Sequence, residues 1–191
     1  MVTNNEINKQ LQKPKDYFFE YFPARIKNVG EDAIYARELI WAFKDAEADA
    51  YEEVAQIVAE HLIEKFGRNK LMNMSLVCVP PSSKEAYVNR FFNFCNRVEE
   101  LTGISNGFSH VSVLKSRKAT HEHKRGKNKD TIDLQPIDLD KEYFLGKEVC
   151  VFDDVITTGK SFAKFADMLE NCGATVVNGV FLGKTFYIYD K

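Results

Sequence analysis

The sequence predicts an α/β fold, a mostly parallel sheet flanked by helices. Two strand–turn–helix passages carry that prediction. In the first, Val149 to Phe152 form a short uncharged run, two carboxylates follow, and Thr157-Thr158-Gly159-Lys160-Ser161 makes a hydroxyl-rich turn. Phe162, Phe165, Ala166, Leu169 and Cys172 then repeat at helical spacing up to Gly173. In the second, Leu76 to Val79 run into Pro80-Pro81-Ser82-Ser83-Lys84, and a helix pattern follows from Glu85 to Leu101. Uncharged runs of this length suit strands buried on both faces, and alternation with helices suits a parallel sheet.

The elements follow in order. Residues 1 to 16 are polar and read as a loosely ordered lead-in without the apolar stretch of a secretion signal. Tyr17 to Pro23 are dense in aromatics and read as a strand or a packed cover, with stacking on a ring ligand as the second option. Ile34 to Phe43 and Tyr51 to Phe66 read as amphipathic helices, the second ending at Gly67. His61 reads as a surface or packing residue. After the Glu85–Leu101 helix, His110 to Leu114 form a short strand. Lys115 to Lys129 hold seven basic residues against one acidic, with no apolar period, and read as a mobile loop. Residues 133 to 145 are polar with scattered apolar positions. Ala174 to Leu182 make a last strand, and the aromatic, basic tail from Gly183 to Tyr187 is placed near the mouth of a site.

The chain has 191 residues and a formal net charge of −2, which argues against nucleic acid or an anionic membrane as partner. No apolar run approaches the ~20 residues of a membrane span, so a cytoplasmic location is the expectation. Cys78, Cys95, Cys150 and Cys172 lie far apart in the sequence without C-x-x-C spacing. They read as buried thiols rather than a zinc or redox site.

The chemistry is concentrated at residues 153 to 161. A turn that opens a helix presents free backbone N–H groups and the positive end of the helix dipole to a phosphate. Gly159 lets the backbone come close, and Thr157, Thr158 and Ser161 add hydroxyls. Asp153 and Asp154 repel phosphate, so they face vicinal hydroxyls, a divalent metal, or both. A sugar phosphate fits this combination. Gly159-Lys160-Ser161 also matches the end of a Walker A loop, but that motif needs glycine at position 154, where this chain has aspartate. The Ser82-Ser83-Lys84 turn is a second phosphate candidate, against the plainer option that Ser82 or Ser83 caps the helix.

The stretch from Val149 to Ser161 resembles the signature of the type I phosphoribosyltransferases. Arg90-Phe91-Phe92-Asn93 is similar to an Arg-Gly-Phe-Asn segment of the ComF-like branch, and Phe43-Lys44 also fits that branch. The chain departs from it in having Phe91 where glycine is usual and no N-terminal cysteine module. The resemblance implies a phosphoribosyltransferase core over residues 71–191 and a helical hood or flap over residues 1–70. It implies phosphoribosyl pyrophosphate and a base or amine as substrates, with Mg2+ held by Asp153 and Asp154 directly or through water. The same two carboxylates, with Arg117 and Lys118 of the basic loop, are the expected catalytic groups. The turn Thr157, Thr158, Gly159, Lys160 and Ser161 would hold the 5′-phosphate and Ser82, Ser83 and Lys84 the pyrophosphate, with Val155, Ile156 and Arg90 as further substrate-binding residues. His121 and His123 are left as loop surface residues. Other options are a binding protein that keeps the nucleotide site without chemistry, or a DNA-uptake accessory of ComF type. A homodimer is the assembly considered.

Overall fold

A computed structural model describes residues 4–114 and 137–189. In chain order the elements are α1 (Asn4–Leu11), β1 (Lys15–Tyr21), α2 (Glu31–Lys44), α3 (Ala50–Phe66), α4 (Arg68–Leu71) and β2 (Met74–Cys78). Then come α5 (Lys84–Thr102), β3 (Ser105–Asn106), β4 (Val111–Val113), β5 (Ile137–Leu139), α6 (Lys141–Phe144), β6 (Glu148–Ile156), α7 (Lys160–Asn171) and β7 (Thr175–Thr185). Five strands form a parallel sheet in the order β1-β7-β6-β2-β3, and β4 pairs antiparallel with β5 apart from it.

The α/β fold with a parallel sheet flanked by helices is therefore present. Its central strand is β6, paired on both edges and uncharged from Val149 to Phe152 because both faces are covered. On one face Phe152 meets Phe43 of α2 and Phe91 and Phe94 of α5 in an aromatic cluster. On the other, Phe181 of β7, the register partner of Asp153, meets Phe162 of α7. Phe91 is fully buried in the first cluster, which accounts for a large ring at that position.

Several elements differ from the sequence expectation. The polar lead-in contains α1, which lies against α7 and is tied to it through Glu170. That carboxylate accepts from Gln10 Nε2 at 2.8 Å and Lys13 Nζ at 2.6 Å. Eight residues of which only Ile7 and Leu11 are apolar carry little helical signal alone; the neighbouring helix supplies the packing surface. The aromatic stretch is β1, an edge strand, and this settles the choice between strand and cover. The last strand runs on to Thr185, so Gly183 to Thr185 belong to β7 and not to a tail. The polar stretch before β6 holds β5 and α6, and the two-residue strand β3 was not foreseen. His61 packs on the Phe18 ring and meets Asp16 at 3.0 Å. Cys78 and Cys95, distant in sequence, are brought by β2 and α5 to a sulfur separation of 3.5 Å. Both are free and buried, and burial together with the neighbouring thiol pushes Cys78 well above the usual thiol range. The basic segment Lys115 to Lys129 lies outside the described residues.

Candidate phosphate and carboxylate site

The sheet order marks where a ligand would sit. From β2 the chain moves outward to β3; it then returns to the other side of β2 as β6 and moves away again to β7. The direction of winding reverses between β2 and β6. At such a point the loops after the two strands diverge and leave a crevice at the carboxyl ends. The loops that diverge here are Val79 to Ser83, leading into α5, and Thr157 to Gly159, leading into α7.

Beyond β6, residues 157 to 161 wrap a cavity of about 210 Å3 that Asp153, Val155, Ile156, Phe162 and Phe181 also line. Gly159 is the residue before α7 and has φ +73°, a left-handed conformation that costs other residues about 1–2 kcal/mol. It turns the chain into α7, whose first N–H groups have no carbonyl of their own helix to meet and whose first residues, Lys160 to Phe162, line the cavity. A Cβ at Gly159 would stand 2.9 Å from Leu11 Cδ2 and 3.5 Å from Ile156 Cδ1. The glycine is thus required by the turn and by the close approach of α1. Thr157 Oγ1 lies 2.7 Å from Thr185 Oγ1 and pins the turn to the end of β7. Lys160 N–H points at Thr158 Oγ1 at 3.4 Å.

The two carboxylates part company. They lie inside β6, not beyond its tip, and successive strand residues point to opposite faces. Asp153 lines the turn cavity. Its Oδ1 accepts from the Asp154 N–H at 2.9 Å, and it keeps a window to solvent among dense protein. Burial, and then the neighbouring Asp154, raise its carboxyl above the ordinary carboxylate range. Asp154 faces the opposite way, 7% exposed, and its Oδ2 accepts from Arg90 Nη1 at 2.8 Å. Its Oδ1 accepts from the Val155 N–H at 2.7 Å. The sequence expectation that both carboxylates sit in reach of water fails for Asp154. Arg90, expected to bind substrate, is engaged with protein. Its Nε donates to the Lys44 carbonyl at 3.0 Å while Nη1 holds Asp154. It ties the end of α2 to β6.

No family model matches the chain, and no curated protein matches it. The site therefore stands on its own geometry.

After β2, Ser83 Oγ accepts from the Ala86 N–H at 3.1 Å and caps α5, while Ser82 and Lys84 are exposed. The capping option is realised at Ser83, and the two neighbours stay open to the crevice edge. Arg117 and Lys118 lie outside the described residues; the strands on either side of them, β4 and β5, are paired through Val113 and Ile137. Among the described residues no helix is long and apolar enough to cross a membrane. A second cavity, of about 350 Å3, opens on the Asp154 side and shares Val155 and Thr157 with the first. Sequence reasoning passed over Arg25 and Trp41 in its wall. The only signal for them was the density of aromatic residues just before Arg25.

Proposed function

We propose that this chain is a phosphoribosyltransferase of the type I kind, closest in its motifs to the ComF-like branch. It would use phosphoribosyl pyrophosphate and Mg2+ and pass the phosphoribosyl group to a nitrogen nucleophile, a base or an amine. One observation carries the reading: a cavity formed by the 157–161 turn, large enough for a phosphate group, adjoins the carboxylate of Asp153 at the carboxyl end of the central strand of a parallel sheet.

The roles follow from the chemistry of the groups. The backbone N–H groups at the start of α7 and the hydroxyls of Thr157, Thr158 and Ser161 hold the 5′-phosphate. Asp153 accepts from a ribose hydroxyl. Asp154 acts indirectly, by fixing Arg90 and the backbone of Val155. In the reaction the C1–O bond to pyrophosphate breaks, a C1–N bond forms, and the nitrogen gives up a proton. Negative charge grows on the departing pyrophosphate, so cations near the Ser82–Lys84 turn favour the transition state over the ground state. Among the described residues no three His, Cys, Asp or Glu side chains gather around one point. That donor set fits Mg2+, which is commonly held by one or two carboxylates with substrate oxygens and water. Asp153 is the carboxylate available, and the ion would supply charge neutralisation between ribose and pyrophosphate.

The test is calorimetry with phosphoribosyl pyrophosphate and magnesium, followed by pyrophosphate detection with a panel of bases. Saturable binding and base-dependent pyrophosphate release are expected. A folded sample that shows no binding overturns the reading. Binding without release for any base leaves a ligand-binding protein in place of the transferase.

A further inference from the structure

The second cavity has a consistent chemistry. Tyr21 at the end of β1, Trp41 on α2 and Tyr187 after β7 give it aromatic walls, and Arg25 and Lys44 stand at its rim. Asp154 also borders it, but that carboxylate is already neutralised by Arg90. Neither Arg25 nor Lys44 meets a carboxylate among the described residues; Arg25 lies over the Tyr187 ring at 5.1 Å. Two cations therefore line one cavity with no unpaired anion among the described residues that line it.

The wall is held in shape before any ligand arrives. Arg37 Nε donates to the Phe22 carbonyl at 2.9 Å and Nη2 to the Ile26 carbonyl at 3.4 Å, which ties down the turn that carries Arg25. Ile26 N–H closes that turn on the Pro23 carbonyl at 2.8 Å. Phe186 N–H donates to the Tyr21 carbonyl at 2.9 Å, and buried Phe22 packs on Phe186 and Tyr189, so Tyr187 is set against Arg25. Trp41 Nε1 donates to the Tyr21 hydroxyl at 3.2 Å. The volume falls in the ordinary range for small-molecule pockets, roughly 300–1,000 Å3.

We infer that this cavity takes a planar aromatic ring bearing a carboxylate. The ring would stack on Trp41 and the tyrosines, and the carboxylate would meet Arg25 and Lys44. The inference deepens the transferase reading and rests on it in one respect: the ligand would be the acceptor. The cavity adjoins the phosphate turn through Val155 and Thr157, so a ring nitrogen and a ribose carbon can be brought together across that ridge.

Trp41 is the only tryptophan of the chain; its ring also borders another cavity with Tyr35 and Glu53, so its emission is read together with the loss of signal in the Arg25 and Lys44 variant below. The experiment titrates nicotinate against nicotinamide, and orotate against uracil, with and without saturating ribose 5-phosphate and magnesium. Binding of ribose 5-phosphate is followed separately by calorimetry. At least one acid is expected to change Trp41 emission and to bind at least about tenfold more tightly than its uncharged twin, the effect of one charge-assisted hydrogen bond. Arg25→Gln with Lys44→Gln should remove that preference and leave ribose 5-phosphate binding intact. Equal binding of acids and neutral rings, or a preference that survives the double variant, overturns the inference. If none of the four rings binds while ribose 5-phosphate does, the inference falls and the transferase reading stands. If the acids bind through Arg25 and Lys44 while ribose 5-phosphate does not, the anion site stands and the transferase reading falls.

Discussion

Adjacent aspartates at 153 and 154 are chemically identical and physically opposite. Asp154 belongs to a buried ion pair, its side chain 10% and that of Arg90 11% exposed. Removing one member of such a pair strands the other charge and costs about 3–5 kcal/mol. Asp154→Asn should therefore lower stability at neutral pH by about 3 kcal/mol in urea unfolding. Asp153→Asn should not. Its carboxyl is raised in the folded chain, by burial first and Asp154 second, so the folded state favours the protonated form. The stabilisation from that proton is fully present below the unfolded carboxylate range and is lost as pH rises through the folded value. The gain of Asp153→Asn over the parent should thus be absent at low pH and grow as pH rises, while affinity for ribose 5-phosphate falls by about tenfold. Melting curves of parent and both variants between pH 3 and 8 check this. If Asp154→Asn melts with the parent at pH 7, the ion pair carries no stability. If the Asp153→Asn difference does not grow with pH, its carboxyl is not raised.

At the scale of elements, α1 is the underside of the phosphate turn. Leu11 occupies the space that a Cβ at Gly159 would need. Gly159→Ala should cost the left-handed penalty of about 1–2 kcal/mol plus the clash with Leu11. In a Leu11→Ala background only the left-handed penalty should remain. The two substitutions should be coupled by about 0.5–3 kcal/mol in a double-mutant cycle. Strict additivity would show that α1 and the turn do not touch in solution. Lys13 strengthens the same junction: its Nζ spans Glu170 on α7 at 2.6 Å and the Val176 carbonyl at 2.9 Å.

For the whole molecule, the α/β architecture was legible because local and global signals agree in its core. Val149 to Phe152 and Leu76 to Cys78 are uncharged where both faces are covered, and α5 and α7 show apolar spacing on the sides that pack. The turn at 157–161 was legible for the same reason, since glycine and hydroxyls are needed at fixed places in the chain. What escaped depends on contacts between distant segments. Helix α1 draws its order from α7, and Gln10 reads as polar surface until Glu170 is placed beside it. The burial of Asp154 depends on Arg90, far along the chain, and the period-two alternation that separates the two aspartates was masked by expecting the strand to end at Phe152. The cavity with Arg25 and Lys44 at its rim gathers four separate parts of the sequence, and no local pattern announces it.

Arg90 touches two structures at once: the last carbonyl of α2, whose side chain borders the ring cavity, and the carboxylate of β6 beside the phosphate turn. A single rigid fork ties α2, which borders the ring cavity, to β6, whose residues border both cavities, so their occupancies are expected to be thermodynamically dependent. Whatever one ligand gains by settling α2 against β6, the other need not spend, and by linkage the enhancement is the same in either direction. A ring acid should therefore tighten ribose 5-phosphate by the same factor that ribose 5-phosphate tightens the acid. Arg90→Lys keeps the charge and loses the planar fork, so each ligand should still bind alone while the mutual enhancement shrinks toward one. Cross-titrations of the two ligands on both proteins measure that factor. An unchanged factor in the lysine variant would place the communication elsewhere in the molecule.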